Sequence, residues 1–245
     1  MKDNFSKRAV LYAQFRPDYP IELIDYIIGF VKEKELAWDC GTGNGQSAKL
    51  LSNYFKKVYA TDISEKQLAN ARQAPNIKYA IEPAEKISLA ENSVDLVTVA
   101  QAIHWFNFEN FYAEVKRVAK PGAVVAVWMY NLLRISKEID EIIEHYHYET
   151  LKGYWDPERK YVDDGYASIP FPFDKVKTRP FKIEVNWTQE ELHGYFNTWS
   201  ALQKYIAVNA DDPVEEVMNK IKPHWGDQEK RKIVFPIHVR LGIIA

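Results

Sequence analysis

Between residues 20 and 130, short apolar runs alternate with stretches of helical spacing, and this rhythm constrains the fold more than any other feature of the chain. Leu36-Ala37-Trp38-Asp39-Cys40 is an apolar run that stops at a glycine cluster, so it reads as a buried strand. Residues 58–61, 77–81, 94–100 and 123–128 repeat the pattern as strands two to five. Before the first run, residues 21–31 place Leu23, Ile24, Ile27, Ile28 and Val31 on one side of a helix. Residues 46–54 return to helical spacing, and Ser64 with Gln67 forms a capping box that opens a third helix. Asn107 can cap a fourth, whose Phe108, Phe111, Tyr112, Val115 and Val118 share one face and which Lys120-Pro121-Gly122 ends. Strands alternating with helices of this length predict right-handed βαβ units and a parallel sheet covered on both faces.

The remainder is less regular. Residues 135–151 look helical, and residues 153–180 are rich in Pro, Gly and aromatics, as befits an ordered loop or cap. Residues 181–187 alternate like a strand, and Thr188 with Glu191 forms a second capping box before a helix running towards Tyr205. Asp212-Pro213 with Glu215 starts one more helix, and the β-branched residues 233–244 close the chain as a strand. This third decorates the sheet rather than forming a domain of its own. A chain of 245 residues fits one large domain, or one with an insertion.

Charge and cysteine usage narrow the function. Lys+Arg is 32 against Asp+Glu 34, which leaves no excess to hold a phosphate backbone, so no nucleic-acid partner is expected. One cysteine, Cys40, excludes an internal disulfide and a Cys-based zinc site. His145 and His147 tempt a metal reading, but residues two apart point to different helix faces, so no metal is expected. The start of the chain has no secretory apolar stretch, and no run approaches the ~18 residues of a membrane span, so a cytoplasmic protein without a membrane partner is expected. Aromatics reach 14%, more than a core alone usually needs.

The strongest chemical signal is Asp39-Cys40-Gly41-Thr42-Gly43-Asn44-Gly45, directly after strand one and before a helix. Glycines here allow a tight turn and close approach of a ligand, and the helix start offers unpaired N–H groups. The dinucleotide pattern G-x-G-x-x-G fails because its third glycine falls at Gln46, and the G-K-[S/T] of a phosphate loop is missing. Asp62, ending strand two, can accept both hydroxyls of a ribose, or it caps the turn beside Ser64. The pair fits a nucleoside with no phosphate requirement.

These residues resemble the class I S-adenosylmethionine-dependent methyltransferases. The D-x-G-x-G-x-G loop and the acid after strand two are similar to that family's first two motifs. Pro83-Ala84-Glu85 with Asn92-Ser93-Val94-Asp95-Leu96-Val97 resembles its adenine-binding turn and fourth strand. Arg117-Val118-Ala119-Lys120-Pro121-Gly122 resembles the element before strand five. Tyr12, Arg16-Pro17-Asp18-Tyr19-Pro20, Ala102-Ile103-His104-Trp105-Phe106 and Thr198-Trp199-Ser200 with Tyr205 look like the small-molecule branch that includes trans-aconitate methyltransferase. Departures are Cys40, where many relatives carry another small or aliphatic residue, and Pro83, where many carry an acid.

The resemblance implies an α/β, Rossmann-like, seven-stranded, mostly parallel, doubly wound sheet with helices on both faces and an antiparallel C-terminal strand. It implies one methyltransferase domain over 1–245: a cofactor-covering segment (1–35), a cofactor-binding core (36–130) and a substrate cap with the last strands (131–245). It places S-adenosylmethionine, and its product S-adenosylhomocysteine, against Tyr12, Arg16, Asp39, Gly41, Thr42, Gly43, Asp62, Ile63, Ala84, Glu85, Gln101 and Ala102. Arg16 pairs with the methionine carboxylate in that scheme, or belongs to a surface turn. Tyr19, Trp105, Trp199 and Tyr205 wall a substrate pocket, or are core. His104 acts as a general base or orients the acceptor, or is a structural histidine bonded to backbone. The expected acceptor is a small organic molecule. A carboxylate needs no base, whereas a hydroxyl or amine would use His104. Aminopropyl transfer on the same fold and a non-catalytic S-adenosylmethionine sensor are the alternatives.

Overall fold

The structure, a computed structural model, describes residues 14–245. Strands β1 (Leu36–Cys40), β2 (Lys57–Asp62), β3 (Ile77–Ile81), β4 (Val94–Ala100) and β5 (Ala119–Tyr130) form on the predicted apolar runs, with β5 longer than expected and taking in Lys120-Pro121-Gly122. They pair in parallel in the order β3-β2-β1-β4-β5. The order reverses between β1 and β4, which opens a crevice outside their carboxyl ends, where open α/β sheets bind ligands.

Beyond β5 the sheet turns antiparallel once. β8 (Arg231–Ile243) pairs with β5 from Val124↔Ile243 to Tyr130↔Ile237. Its other edge carries β6 (Asp174–Val176) and β7 (Phe181–Trp187), both antiparallel to β8 and therefore running with β1–β5. Eight strands form where seven are expected. The outermost strand is split, because residues 177–180 leave the ladder and Pro180 has no N–H to donate to it. β6 itself lies in a stretch predicted as loop; Asp174 and Lys175 are exposed and give no apolar alternation.

Both faces of the sheet are buried, as consecutive residues of the central strands show. Leu96, Val124, Ala126 and Trp128 point to one core; Val97, Val99, Val125 and Val127 point to the other. The first core receives α1 (Ile21–Ile28), α2 (Gln46–Leu51), α5 (Lys137–His145), α7 (Gln189–Phe196), α8 (Ser200–Asn209) and α9 (Val214–Trp225), through Leu23, Leu51, Ile143, Phe196, Leu202 and Ile221. The second receives α4 (Phe108–Val118) through Phe111, Val115 and Val118. Each such fully buried side chain contributes roughly 1.5–3 kcal/mol. Helices α3 (Glu65–Ala69) and α6 (Arg159–Asp163) are short.

The helix starts follow local chemistry. Ser64 Oγ accepts the Gln67 N–H at 3.3 Å, and Asn107 Oδ1 accepts the Asn110 N–H at 3.0 Å. Thr188 and Glu191 cap each other reciprocally at 3.1 and 2.7 Å. Each cap stabilises by about 1 kcal/mol. The helix predicted to reach Leu151 ends at His145 and widens into one π turn, Tyr146–Thr150. Below the sheet, buried Asp95 accepts the Glu35 and Leu36 N–H groups at 2.9 Å and pairs with Lys120 at 2.6 Å, tying β1, β4 and β5 together. Among the described residues, no helix is long and apolar enough to cross a membrane.

Candidate active site

The glycine loop and the segment after β4 face each other across the crevice. Gly41 is left-handed (φ +66°), and a Cβ there would sit 2.6 Å from the Ala102 Cβ, so the loop packs directly on residues 102–106. Gly43 is also left-handed (φ +56°), yet among the described residues a Cβ there would touch nothing within 4 Å. Its φ alone calls for glycine, and the loop is open at this point among the described residues. The Gly43 N–H is held by Asp62 Oδ2 at 2.9 Å, and Asp62 Oδ1 takes the Ser64 N–H at 2.9 Å. Asp62 thus does cap its turn, while its half-buried carboxylate stands at the mouth of the loop.

Asp39 works from beneath. It is wholly buried and accepts the hydroxyls of Thr42 at 2.5 Å and Thr98 at 2.7 Å, so it braces the loop and occupies the Thr42 hydroxyl. Burial raises its pKa above the usual carboxylate range, against the lowering effect of those hydroxyls. Ile63 is half-buried in the turn after β2, and Ala84 is buried in the turn after β3. Glu85 Oε1 accepts the Asn107 N–H at 2.8 Å, which commits that oxygen to the start of α4. Burial first, then the charges of Asp39, Asp62 and Glu85, push the Cys40 thiol well up, so it is no nucleophile. Asp62, half-buried at the mouth of the loop, suits a ligand that carries hydroxyl groups. S-adenosylmethionine is such a ligand, and the residues present fit it.

Past the ends of β4 and β5 lies a cleft of about 730 Å³, part of it open to solvent. Gln101, with φ +56°, closes its floor: its Oε1 accepts the Tyr130 N–H at 2.8 Å and its amide reaches the Tyr130 carbonyl at 3.4 Å. Arg16 lines one wall, donating to the Tyr130 hydroxyl at 2.8 Å with its guanidinium 5.0 Å from the Tyr195 ring. It belongs to the cleft rather than to a surface turn. Trp105 and Trp199 line it too; Trp199 is backed by a stacked Tyr146 at 5.5 Å.

Two expected wall residues do not line this cleft. Tyr19 is buried edge-on against Trp128 at 5.5 Å, one layer behind the wall that Tyr130 forms. Tyr205 lies along α8 and pairs with Tyr154 at 5.0 Å, because the helix carries it round from Trp199. Tyr12 falls outside the described residues.

His104 lines the cleft and is buried, with its partner on a side chain rather than on backbone: Nδ1 lies 2.7 Å from the Tyr166 hydroxyl. Burial, then the charge of Arg159, lowers its pKa to about 3, so the ring is neutral. Trp155, Arg159 and Tyr195 also line the cleft, and Tyr166 stands behind it on His104; no sequence motif marks any of the four. Arg159 Nε is held by Asp163 at 2.9 Å and its guanidinium lies over Trp155 at 4.5 Å, while its terminal nitrogens have no hydrogen-bond partner among the described residues. The acid in the cleft, Asp156, is paired with Lys204 at 2.7 Å. In sequence Arg159 is an ordinary charge at the start of a short helix, and no spacing signals it.

Comparison with known proteins gives a consistent answer. The family model described as a methyltransferase domain matches residues 38–127. A protein of Dictyostelium discoideum named as a methyltransferase is 36% identical over 248 residues, 98% of this chain and 94% of its own. A Saccharomyces cerevisiae protein named as an S-adenosylmethionine-dependent methyltransferase is 30% identical over 69% of this chain and 60% of its own. The solved structure of an Anaeromyxobacter dehalogenans protein described as a type II methyltransferase superposes with a TM-score of 0.87 at 37% identity, covering 94% of this chain and 98% of that one.

Proposed function

The chain belongs to the S-adenosylmethionine-dependent methyltransferases, and from that premise we propose that it methylates a carboxylate oxygen of a small organic acid held in the cleft beside Arg159. The observation that carries the acid is the guanidinium itself: it lines the cleft with its terminal nitrogens unpartnered among the described residues, a fork that matches a carboxylate. When bound, S-adenosylmethionine supplies an activated methyl group on a sulfonium. Asp62 and the Gly43 edge of the loop would hold its nucleoside.

An ionised acid arrives ready to attack, so no residue has to take a proton. That agrees with His104, whose depressed basicity suits it poorly to deprotonate a hydroxyl or ammonium. Trp105, Tyr195 and Trp199 exclude water, while Arg159 aligns the anion. Alignment of this kind is worth roughly 7–11 kcal/mol of barrier. Arginines in the cleft, with Asp156 neutralised by Lys204, also disfavour the polyamine that aminopropyl transfer requires.

The test is methyl transfer from labelled S-adenosylmethionine across mono-, di- and tricarboxylic acids, amines and alcohols. Alkali-labile methyl esters are expected, and Arg159→Leu should lower kcat/KM by about 10-fold or more, the loss of a charge-assisted bond, with S-adenosylhomocysteine affinity unchanged. Products methylated only on nitrogen, or only on protein or nucleic acid, would refute the proposal.

A further inference from the structure

Residues 165–166 are out of place in a folded loop. Gly165 (φ +66°) is followed by Tyr166 (φ +65°), a bulky residue in the left-handed region, which costs roughly 1–2 kcal/mol. The surroundings enforce it: the Tyr166 N–H bonds the Tyr161 carbonyl at 2.7 Å, and the Tyr166 carbonyl takes Arg240 Nη1 at 2.7 Å. The product of that strain is a phenol, 1% exposed, with its hydroxyl 2.7 Å from His104 Nδ1. His104 Nε2 has no partner among the described residues, and the ring lines the acceptor cleft.

The direction of that hydrogen bond follows from chemistry. A phenol is a stronger acid than a neutral imidazole N–H, and a bare imidazole nitrogen is a stronger acceptor than a phenol oxygen. The proton therefore points from Tyr166 to Nδ1, and the proton of the ring itself resides on Nε2. We propose that Tyr166 is a positioning residue that locks His104 as the neutral Nε2–H tautomer, making His104 the hydrogen-bond donor that orients the acceptor oxygen rather than a base. The inference rests on reading the cleft as the acceptor site. The charged group facing His104 is Arg159, from α6, and it opposes protonation of the ring, as burial does. Arg159 and His104 then offer two kinds of donor to one anion: a guanidinium to draw it in, and a single directed N–H to fix which oxygen faces the methyl group.

The tautomer can be read without any acceptor. In the full chain labelled with ¹⁵N-histidine and saturated with S-adenosylhomocysteine, two-bond couplings show which ring nitrogen bears the proton; the His104 signals are those lost in His104→Gln. At neutral pH His104 should be a single Nε2–H tautomer. Tyr166→Phe keeps the ring and the packing, and should convert it to a mixture of tautomers with S-adenosylhomocysteine affinity unchanged. An Nδ1–H tautomer in the unaltered protein, a protonated ring at neutral pH, or an unchanged tautomer in Tyr166→Phe would each overturn the proposal. If no acid accepts a methyl group while the tautomer behaves as stated, the substrate reading fails and the assignment of Tyr166 does not. Esters formed by a protein with the opposite tautomer would sink the assignment of Tyr166 and leave the substrate reading standing.

Discussion

Replacing Asp62 by alanine should separate cofactor binding from support of the loop. Its carboxylate already accepts two backbone N–H groups, from Gly43 and Ser64, each at 2.9 Å. An ionised carboxylate offers about four acceptor sites, enough to take ribose hydroxyls as well as backbone N–H groups. Charge-assisted bonds contribute about 1.5–3 kcal/mol each, so losing a pair removes roughly 3–6 kcal/mol, and half-exposure of Asp62 argues for the lower end, about 10²-fold in Kd. Asp39→Asn is the matched control, since Asp39 is fully buried and bonds only within the protein. It should lower unfolding free energy by about 1–3 kcal/mol, the cost of a disturbed buried acceptor, while binding changes far less. Calorimetric titration with S-adenosylhomocysteine, alongside urea denaturation, measures both quantities. A folded Asp62→Ala protein that binds within threefold of the unaltered chain would refute the reasoning.

The glycines divide in the same way. Gly41→Ala should destabilise strongly, because its Cβ would meet Ala102, whereas Gly43→Ala should cost only about 1 kcal/mol of strain yet weaken S-adenosylhomocysteine binding; melting and titration check the pair. His147 is 1% exposed, and burial, then Arg159, lowers its pKa to about 3, so the folded state refuses a proton that the unfolded chain takes up below about 6.5. Stability is thus lost as pH falls from 6.5 towards 3, and His147→Phe should flatten that loss; parallel urea-midpoint curves for the two proteins would contradict it. With whichever acid turns over, His104→Gln, whose amide N–H can stand near Nε2, should retain roughly 3- to 10-fold more kcat/KM than His104→Ala, the value of one neutral hydrogen bond; equal losses would argue against a donor.

What was legible in the sequence was local. Apolar runs placed the five parallel strands, and Ser64, Asn107 and Thr188 cap helices because each finds its partner three residues away. Strand order then carried His104 and Trp105 to the crevice, since they immediately follow β4. Tertiary packing decides the rest. Trp199 caps α8 at the cleft while Tyr205, roughly a turn and a half along, meets Tyr154, and Tyr19 packs on Trp128 behind Tyr130. Arg159 and Tyr166 come from a stretch with no period, and their places arise only when that stretch packs beside His104, after β4. The split of the outer edge into β6 and β7 is likewise invisible, because an exposed three-residue strand exists only through its partner β8.

The place of β8 has a consequence for biosynthesis. It separates β5 from β6 and β7, yet it follows all seven other strands of the sheet in chain order. Until residues 231–243 exist, the outer edge of β5 presents unpaired N–H and C=O groups along the Val124–Trp128 stretch, an open template for another nascent chain. The pairing that closes it joins strands about a hundred residues apart in the chain, a slow, non-local step. The first 130 residues therefore cannot finish their sheet alone, and a chain truncated before β8 should aggregate more readily than the full one.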